Sequence, residues 1–469
     1  MSRLPHIAIL GGGPAGCGAA YQLRRTGKAT VTLLEKQAVV GGNAASFQWG
    51  GQWLDYGSHR LHHTVAPNIL ADIQAMLGDD FGDFSRHGRI RLRGEWLHFP
   101  IKSTDLLRRL DKGFAFGMAR DMIMSKLAKP AEGDSFASVL RANLGPTMSE
   151  HFYFPYARKM WGKEPEELSA IQARKRVSAG SFGKLIKRLL KPVGGGNYYY
   201  MREGYGQISR AYAQQATSLG AELALGWGAT RIEPSPVEGY TWRITAECNG
   251  AQRTVDADYI WSTIPITLLA RMMPGAPDPK VMQASQSISY RAMVLVYVKL
   301  PVHQYTTTDA HYFPEENVRV TRLSEPKNYF RSTEPRGTTV LCGEYPCAIG
   351  DELWTATDEQ LAERMARDAA TAAIPFPAKP TDVLIRRLPQ AYPIYLRGYE
   401  VPLGILDDWA SAQPNVLVYG RQGLFAHDNT HHTLAMAYAA AECLSDEGAL
   451  DRGRWAAHRR EFEAHVVED

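Results

Sequence analysis

The sequence predicts an α/β fold: one domain on a central parallel sheet, interrupted by insertions that build a second α+β domain. Three observations predict it. "IAIL" (Ile7 to Leu10) is a short apolar run of the kind buried parallel strands show. It passes through Gly11-Gly12-Gly13 into "CGAAYQLRRTG", a helical stretch closing at Gly27, and then into "ATVTLLE", a second strand ending at Glu35. The strand–turn–helix pattern returns at "DYIWSTIPITLLA" and at "NVLVYGRQG", the latter followed by the Ala-rich helix "HTLAMAYAAAECL". Between these, "RAMVLVYVKL" is a strong β run belonging to a different sheet. The parallel-sheet domain is therefore expected from 1–75, 196–268 and 396–469, and the second domain from 76–195 and 269–395.

Each part of the opening unit has a physical task. Gly11, Gly13 and Gly16 fit G-x-G-x-x-G, and Glu35 stands 19 residues after Gly16. Gly11 allows the tight turn, Gly13 lets backbone approach a pyrophosphate, and Gly16 lets the helix pack on the strand. The helix N-terminus, at Pro14 and Ala15, faces the phosphates, and Glu35 accepts from ribose hydroxyls. A glycine motif alone is weak, because a flexible turn with a chance acid gives the same letters. With both strands, the helix and the acid in register, a Rossmann-like dinucleotide site is the better reading. A second pair, Gly41-Gly42, follows the acid by six residues. NAD-binding domains do not need that element.

The middle of the chain changes character. "GRIRLRGEWLHFPI" alternates and reads as a hairpin around Gly94, and "SFASVLRANLGPTMSEHFYFPYARKMWG" reads as helical with interleaved aromatics. "ARKRVSAGSFGKLIKRLLKP" carries seven basic residues in twenty, which suits a solvated face, a phosphate clamp or a membrane-surface contact. "NYYYMREGYGQISRAYAQQATSLGAELAL" reads as a glycine turn, a helix and a short strand.

Composition excludes several classes. A net charge of +4 is too small to argue for nucleic acid. No stretch approaches the roughly 18 consecutive apolar residues of a membrane span. The five cysteines, 17, 248, 342, 347 and 443, are scattered and read as free thiols in a reducing cytoplasm. His59, His62 and His63 crowd "DYGSHRLHH", but no further ligand cluster completes them, so no metal is expected.

Taken in order, the G-x-G-x-x-G start, the "GG" after the acid, "REGYGQI", "STIP" and "YGRQG" resemble the FAD-dependent amine oxidase and protoporphyrinogen oxidase superfamily over nearly the whole chain. Several segments are most similar to its UDP-galactopyranose mutase members: the hairpin "GRIRLRGEWLHFPI", "FPYARKMWGKEPEELSAIQARKRV", "HYFPEENVRVTRLSEPKNYF" and "GRQGLFAHDNTHHTLAMAYAAAE".

The resemblance implies FAD, used in the reduced form, with NADH or NADPH as candidate reductant. It assigns FAD to Gly11, Gly13, Pro14, Ala15, Gly16, Glu35, Lys36, Gly42 and Asn43 from the first stretch. Gly57, Ser58 and His59 would lie at the flavin, with Ala229 bonding the adenine through its backbone. Thr263, Gly420, Arg421, Asn429, Thr430, His431 and Thr433 complete that set.

For the substrate, a nucleotide-diphosphate sugar, the resemblance implies two arginines gripping the diphosphate. These are Arg176, with Arg174 as neighbour, and Arg322. Trp161, Tyr392 and His59 join them as catalytic residues, and Phe99, Lys102, Asn328 and His427 as substrate contacts. The implied reaction is ring isomerisation of the sugar through reduced flavin N5, without net redox change. Planar, permanently charged guanidiniums suit retention of the departing diphosphate.

The chain also departs from the mutases. His427 stands where a second diphosphate tyrosine is expected, and Phe99 and Lys102 stand where fungal-type mutases have Tyr and Gln. These departures keep a second reading in view, an FAD-dependent oxidoreductase of the amine or porphyrinogen type. A flavin-carrying redox partner docking through residues 174–191 is a third. An oligomer is compatible with the sequence.

Overall fold

The computed structural model describes residues 3–99, 105, 109–127, 133–176, 196–273 and 278–467, with the side chains of 122, 125–127 and 176 excepted. Five parallel strands form the central sheet, in the order Val416–Val418, Tyr259–Ser262, His6–Leu10, Thr30–Glu35, Glu222–Leu225. Ile7 and Ile9 point to one face and Ala8 and Leu10 to the other, and all four are fully or almost fully buried. A strand covered on both sides needs no polar alternation, which is why "IAIL" is continuous.

One face carries the helices Pro14–Arg25, Gln207–Ser218 and Thr430–Glu442. Gly18 lets the first of these approach the last, since a Cβ there would lie 2.9 Å from Leu434. The other face is closed by a three-stranded antiparallel sheet (Gly228–Pro234, Trp242–Cys248, Ala251–Ala257) and by helices Ile266–Met272, Pro279–Ser287 and Glu400–Ala412.

The second sheet has seven strands, ordered Asp382–Ile394, Ser289–Leu300, Thr339–Cys347, Arg322–Ser324, Ala310–Tyr312, Gly88–Leu92, Glu95–Phe99. Neighbours are antiparallel except Ala310–Tyr312 with Gly88–Leu92. "RAMVLVYVKL" lies in its long strand Ser289–Leu300, and the expected hairpin closes through Arg93 (φ 54°) and Gly94 (φ 84°). Two successive positive φ values give the tight turn whose twist matches paired strands.

The aromatic helical stretch is three pieces, Phe136–Met148, a π-helical turn Ser149–Tyr153 and Phe154–Trp161. Gly145 (φ 77°) and Pro146 break the regular ladder. One expectation needed correction: "NYYYM" is a strand, Asn197–Met201, paired with Phe81–Ser85, before the glycine turn begins. Tyr198 and Tyr200 are buried on one side while Tyr199 faces the other, the alternation of a half-covered strand.

Candidate functional site

The glycine turn is built tightly where the chain crosses itself and openly where a ligand would enter. A Cβ on Gly16 would stand 2.0 Å from the carbonyl oxygen of Gly11, and one on Gly11 (φ 100°) 2.6 Å from Thr263 Oγ1. A Cβ on Gly13 meets nothing within 4 Å. Gly13 is the N-cap of the first helix, and no side chain caps it. Amide hydrogens at that end face an open space with the positive end of the helix dipole behind them.

Glu35 is buried, and its two oxygens accept the amides of Gly12 (2.7 Å) and Gln37 (2.8 Å). It therefore fixes the glycine turn itself. The Gly41 amide donates to the Gly12 carbonyl (2.7 Å), which stacks the second glycine turn on the first, and Gly42 lies beside Gly13. Thr263 Oγ1 donates to the Leu10 carbonyl (2.9 Å), and Gly420 (φ 80°) abuts Ala15. Lys36 packs on Gly228, next to Ala229 at the irregularity in its strand. Asn43 and Gln422 both donate to the Gln390 carbonyl, tying the two sheets together across the cleft.

The Gly57–Ser58–His59 turn is held from the second sheet. Glu344 Oε1 accepts the Ser58 amide (2.8 Å), and Ser58 Oγ contacts the Tyr329 hydroxyl (2.5 Å). The same carboxylate takes Arg322 in a two-point bond, Nε and Nη2 each at 2.8 Å. Glu344 was not visible in the sequence as a site residue: its place comes from the register that sets Arg322 opposite it in neighbouring strands. His59 stacks on Tyr205, and its Nδ1 is sealed from solvent without a hydrogen-bond partner. Burial, with Arg322, Arg421 and Arg60 around the ring, pushes its pKa down to about 3, so His59 is neutral. Arg60 lies under Tyr329 and pairs with buried Asp309 (3.3 Å).

Tyr392 brings an aromatic group to Arg421 and Arg322. Trp161 meets Tyr392 and His427 edge-on, with centroids 5.9 and 5.2 Å apart, and His427 is tied to Gln172 at 3.2 Å. Arg421 lies over the Tyr392 ring and donates to the carbonyls of Asp428 and Ala391. Asn429 caps the closing helix Thr430–Glu442, Thr433 bonds back to Thr430, and His431 reaches Thr64.

Other expected substrate residues are placed differently. Phe99 packs near Tyr312 under Arg86, at the far end of the second sheet. The Asn328 amide is committed to the loop carbonyls of Thr306 and Thr308, at the edge of a cavity of about 450 Å³ that Arg86 and Arg331 also line. Arg174 is exposed at the end of the helix Ala170–Arg176. The Arg176 side chain and all of Lys102 lie outside the described residues. The three early histidines do not converge, since His62 turns to Thr64 and His63 to Asp83 and Tyr199. Asp428, His432 and His465 do, with ligand atoms within 4.8 Å of one another. The i, i+4 spacing of the first two is a signal in the sequence, but the third comes from the far end of the chain.

The pattern of flavin-containing amine oxidoreductases matches residues 14–442. The chain belongs to this family. It is accordingly an FAD-dependent flavoenzyme. No curated protein sequence matches it. Among solved structures, a reduced UDP-galactopyranose mutase is similar at 20% identity and a TM-score of 0.80, covering 99% of this chain and 100% of the other. A protein assigned as a protoporphyrinogen oxidase from Exiguobacterium sp. 255-15 is 20% identical with a TM-score of 0.72, covering 94% and 99%. Cyclohexylamine oxidase from Brevibacterium oxydans IH-35A is 16% identical with a TM-score of 0.67, covering 94% and 98%. At these identities the structures speak for the fold of this amine oxidoreductase family member. Among the described residues no helix is long and apolar enough to cross a membrane.

Proposed function

We propose that this flavoenzyme acts on a nucleotide-diphosphate sugar and isomerises the sugar ring in the manner of UDP-galactopyranose mutase. The observation that carries the reading is the cleft around neutral His59. Three guanidiniums, Arg322, Arg421 and Arg60, gather there beside a wall of Trp161, Tyr392 and His427. Cations in a partly dewatered cleft recognise polyanions, and aromatic faces suit the flat or apolar side of a sugar and exclude water.

The open cradle at Gly13 and the uncapped first helix fit the pyrophosphate of FAD, and the sealed Nδ1 of His59 fits a polar partner at the isoalloxazine. Bound and reduced, FAD supplies the nucleophilic nitrogen of this chemistry; NADH or NADPH is the proposed reductant. The chain's own part is positional. Glu344 orients Arg322 and holds the Ser58 amide, so the diphosphate clamp and the flavin-side turn move as one body. Arg421, fixed by two backbone carbonyls, keeps Tyr392 in place. His59, held neutral, donates or accepts without adding a fourth positive charge.

A second reading has its own observation. Glu344 neutralises Arg322 in a two-point pair. A cleft whose charge is already balanced suits an uncharged or amine substrate, and the enzyme would then be an FAD-dependent oxidoreductase.

The deciding experiment gives dithionite-reduced holoenzyme UDP-, CDP-, GDP- and TDP-sugars and follows pyranose–furanose exchange by NMR. Parallel samples of oxidised enzyme receive amines and porphyrinogens while flavin bleaching is recorded. Ring exchange with one sugar class establishes the first reading. Bleaching by an amine or porphyrinogen, with no exchange on the panel, replaces it with the second.

A further inference from the structure

The cavity of about 450 Å³ opens where the end of the strand Phe81–Ser85 meets two loops of the second sheet. Its lining includes Arg86, Lys327, Arg331, Thr307, Thr333 and Asp309. None of Gly13, His59, Arg322 and Arg421 lines it, so it is separate from the flavin cradle and from the cleft proposed for the substrate. Pockets of roughly 300–1,000 Å³ are those that hold small organic ligands.

Among the lining residues Arg86, Lys327 and Arg331 are cations, and Asp309 is the acid. Asp309 is buried and already paired with Arg60 at 3.3 Å, so the field inside the cavity is positive. Lys327 contributes charge without bonds, because its ammonium is committed to the carbonyls of His303, Pro335 and Thr338. Arg331 keeps donors in hand. Its Nη2 donates to the Ser85 carbonyl and to Ser85 Oγ (2.7 Å), while Nε and Nη1 have no hydrogen-bond partner among the described residues. The hydroxyls and amides of Thr307 and Thr333 have none either among the described residues.

The backbone is strained to hold Arg331 in this place. Its φ is 52°, in the left-handed region that residues other than glycine seldom occupy. The turn is closed by the Ser332 amide, which donates to the Lys327 carbonyl (3.0 Å). Strain of this kind persists only where the surroundings fix it, and it gathers at ligand sites. The same turn carries Tyr329, whose hydroxyl contacts Ser58 Oγ, so the cavity and the flavin-side turn share a support.

We propose that this cavity binds a phosphorylated small molecule, its phosphate group taken by Arg331 with the threonine hydroxyls and amides, in the field of Arg86 and Lys327. A phosphate monoester brings close to two negative charges and three strong acceptor oxygens at neutral pH. A guanidinium answers them with planar, charge-assisted bonds. A phosphate ion alone leaves most of the cavity empty, so the ligand carries an organic body of the size of a sugar or a nucleoside. The site does not depend on which substrate the flavin cleft takes.

The test titrates FAD-loaded enzyme with inorganic phosphate, glucose 6-phosphate and AMP by calorimetry. One of the two organic phosphates should bind once per chain and more tightly than inorganic phosphate, and which one binds tells a sugar body from a nucleoside. Arg331→Gly removes the guanidinium and suits the left-handed backbone, so this variant should melt close to the native protein. It should weaken binding by about 10- to 100-fold, the loss expected for bonds to a charged group. Arg331→Lys should keep part of the affinity. Arg336→Ala, exposed and outside the lining, should leave it unchanged. Binding of inorganic phosphate alone or of none of the three, native affinity in Arg331→Gly, or an equal loss in Arg336→Ala would each overturn the proposal. These variants leave Arg322 and its cleft unaltered, so the nucleotide-sugar panel is decided separately.

Discussion

Arg322 and Glu344 show how much rests on single side chains. The pair is nearly dry, with side chains 16% and 5% exposed. Removing one member leaves the other's charge buried and uncompensated, which costs about 3–5 kcal/mol, whereas replacing both is far milder. Arg322→Ala should therefore lower the unfolding free energy measured in urea by that order and abolish ligand affinity. Arg322→Ala with Glu344→Gln should recover most of the stability and none of the affinity. Recovery of both would show that Arg322 never touched ligand.

A second residue-scale prediction concerns acid. His59 and His311 have pKa values pushed by burial from 6.5 down to about 3. Below about pH 6.5 the unfolded chain takes protons that these folded rings refuse, so stability falls as pH drops towards 3. Asp55, raised by burial from 3.8 to about 6, works the opposite way between those values, one carboxyl against two imidazoles. Urea midpoints measured from pH 7 to 4 should decline, and decline less in His311→Gln. An identical slope in that variant would refute the assignment.

At the scale of elements, the glycine turn separates two requirements that share one motif. Gly16→Ala forces a carbon into the Gly11 carbonyl at 2.0 Å and should disrupt the strand–helix junction, lowering thermal stability with or without flavin. Gly13→Ala (φ −71°, ψ 179°) costs the backbone nothing and fills only the cradle. Its apoprotein should melt like the native apoprotein while FAD affinity falls at least about tenfold by fluorescence titration. Equal FAD affinity would place the pyrophosphate elsewhere. The same turn was the most legible element in the sequence, because its constraints are local: a positive φ, a strand on one side and a helix on the other. "NYYYM" was less legible, since whether it is turn or strand depends on Phe81–Ser85 arriving beside it.

For the whole molecule, the cofactor should behave as part of the fold. The parallel sheet is assembled from three separated stretches that converge on the cradle. Adding FAD to apoprotein at about 100 times its dissociation constant should stabilise by about 2.7 kcal/mol and raise the melting temperature accordingly. A melting temperature indifferent to FAD would contradict the cradle.

By itself the sequence determined the buried parallel strands, the glycine turns and their order along the chain. Apolar runs, missing Cβ atoms and helix starts act through neighbouring residues. Only the tertiary structure decided that Glu35 spends its oxygens on the glycine turn, that Glu344 holds both Arg322 and Ser58, and that His465 meets Asp428. Those partners lie tens to hundreds of positions apart. Their meeting is fixed by sheet register and helix packing, which a linear pattern of residue types does not contain.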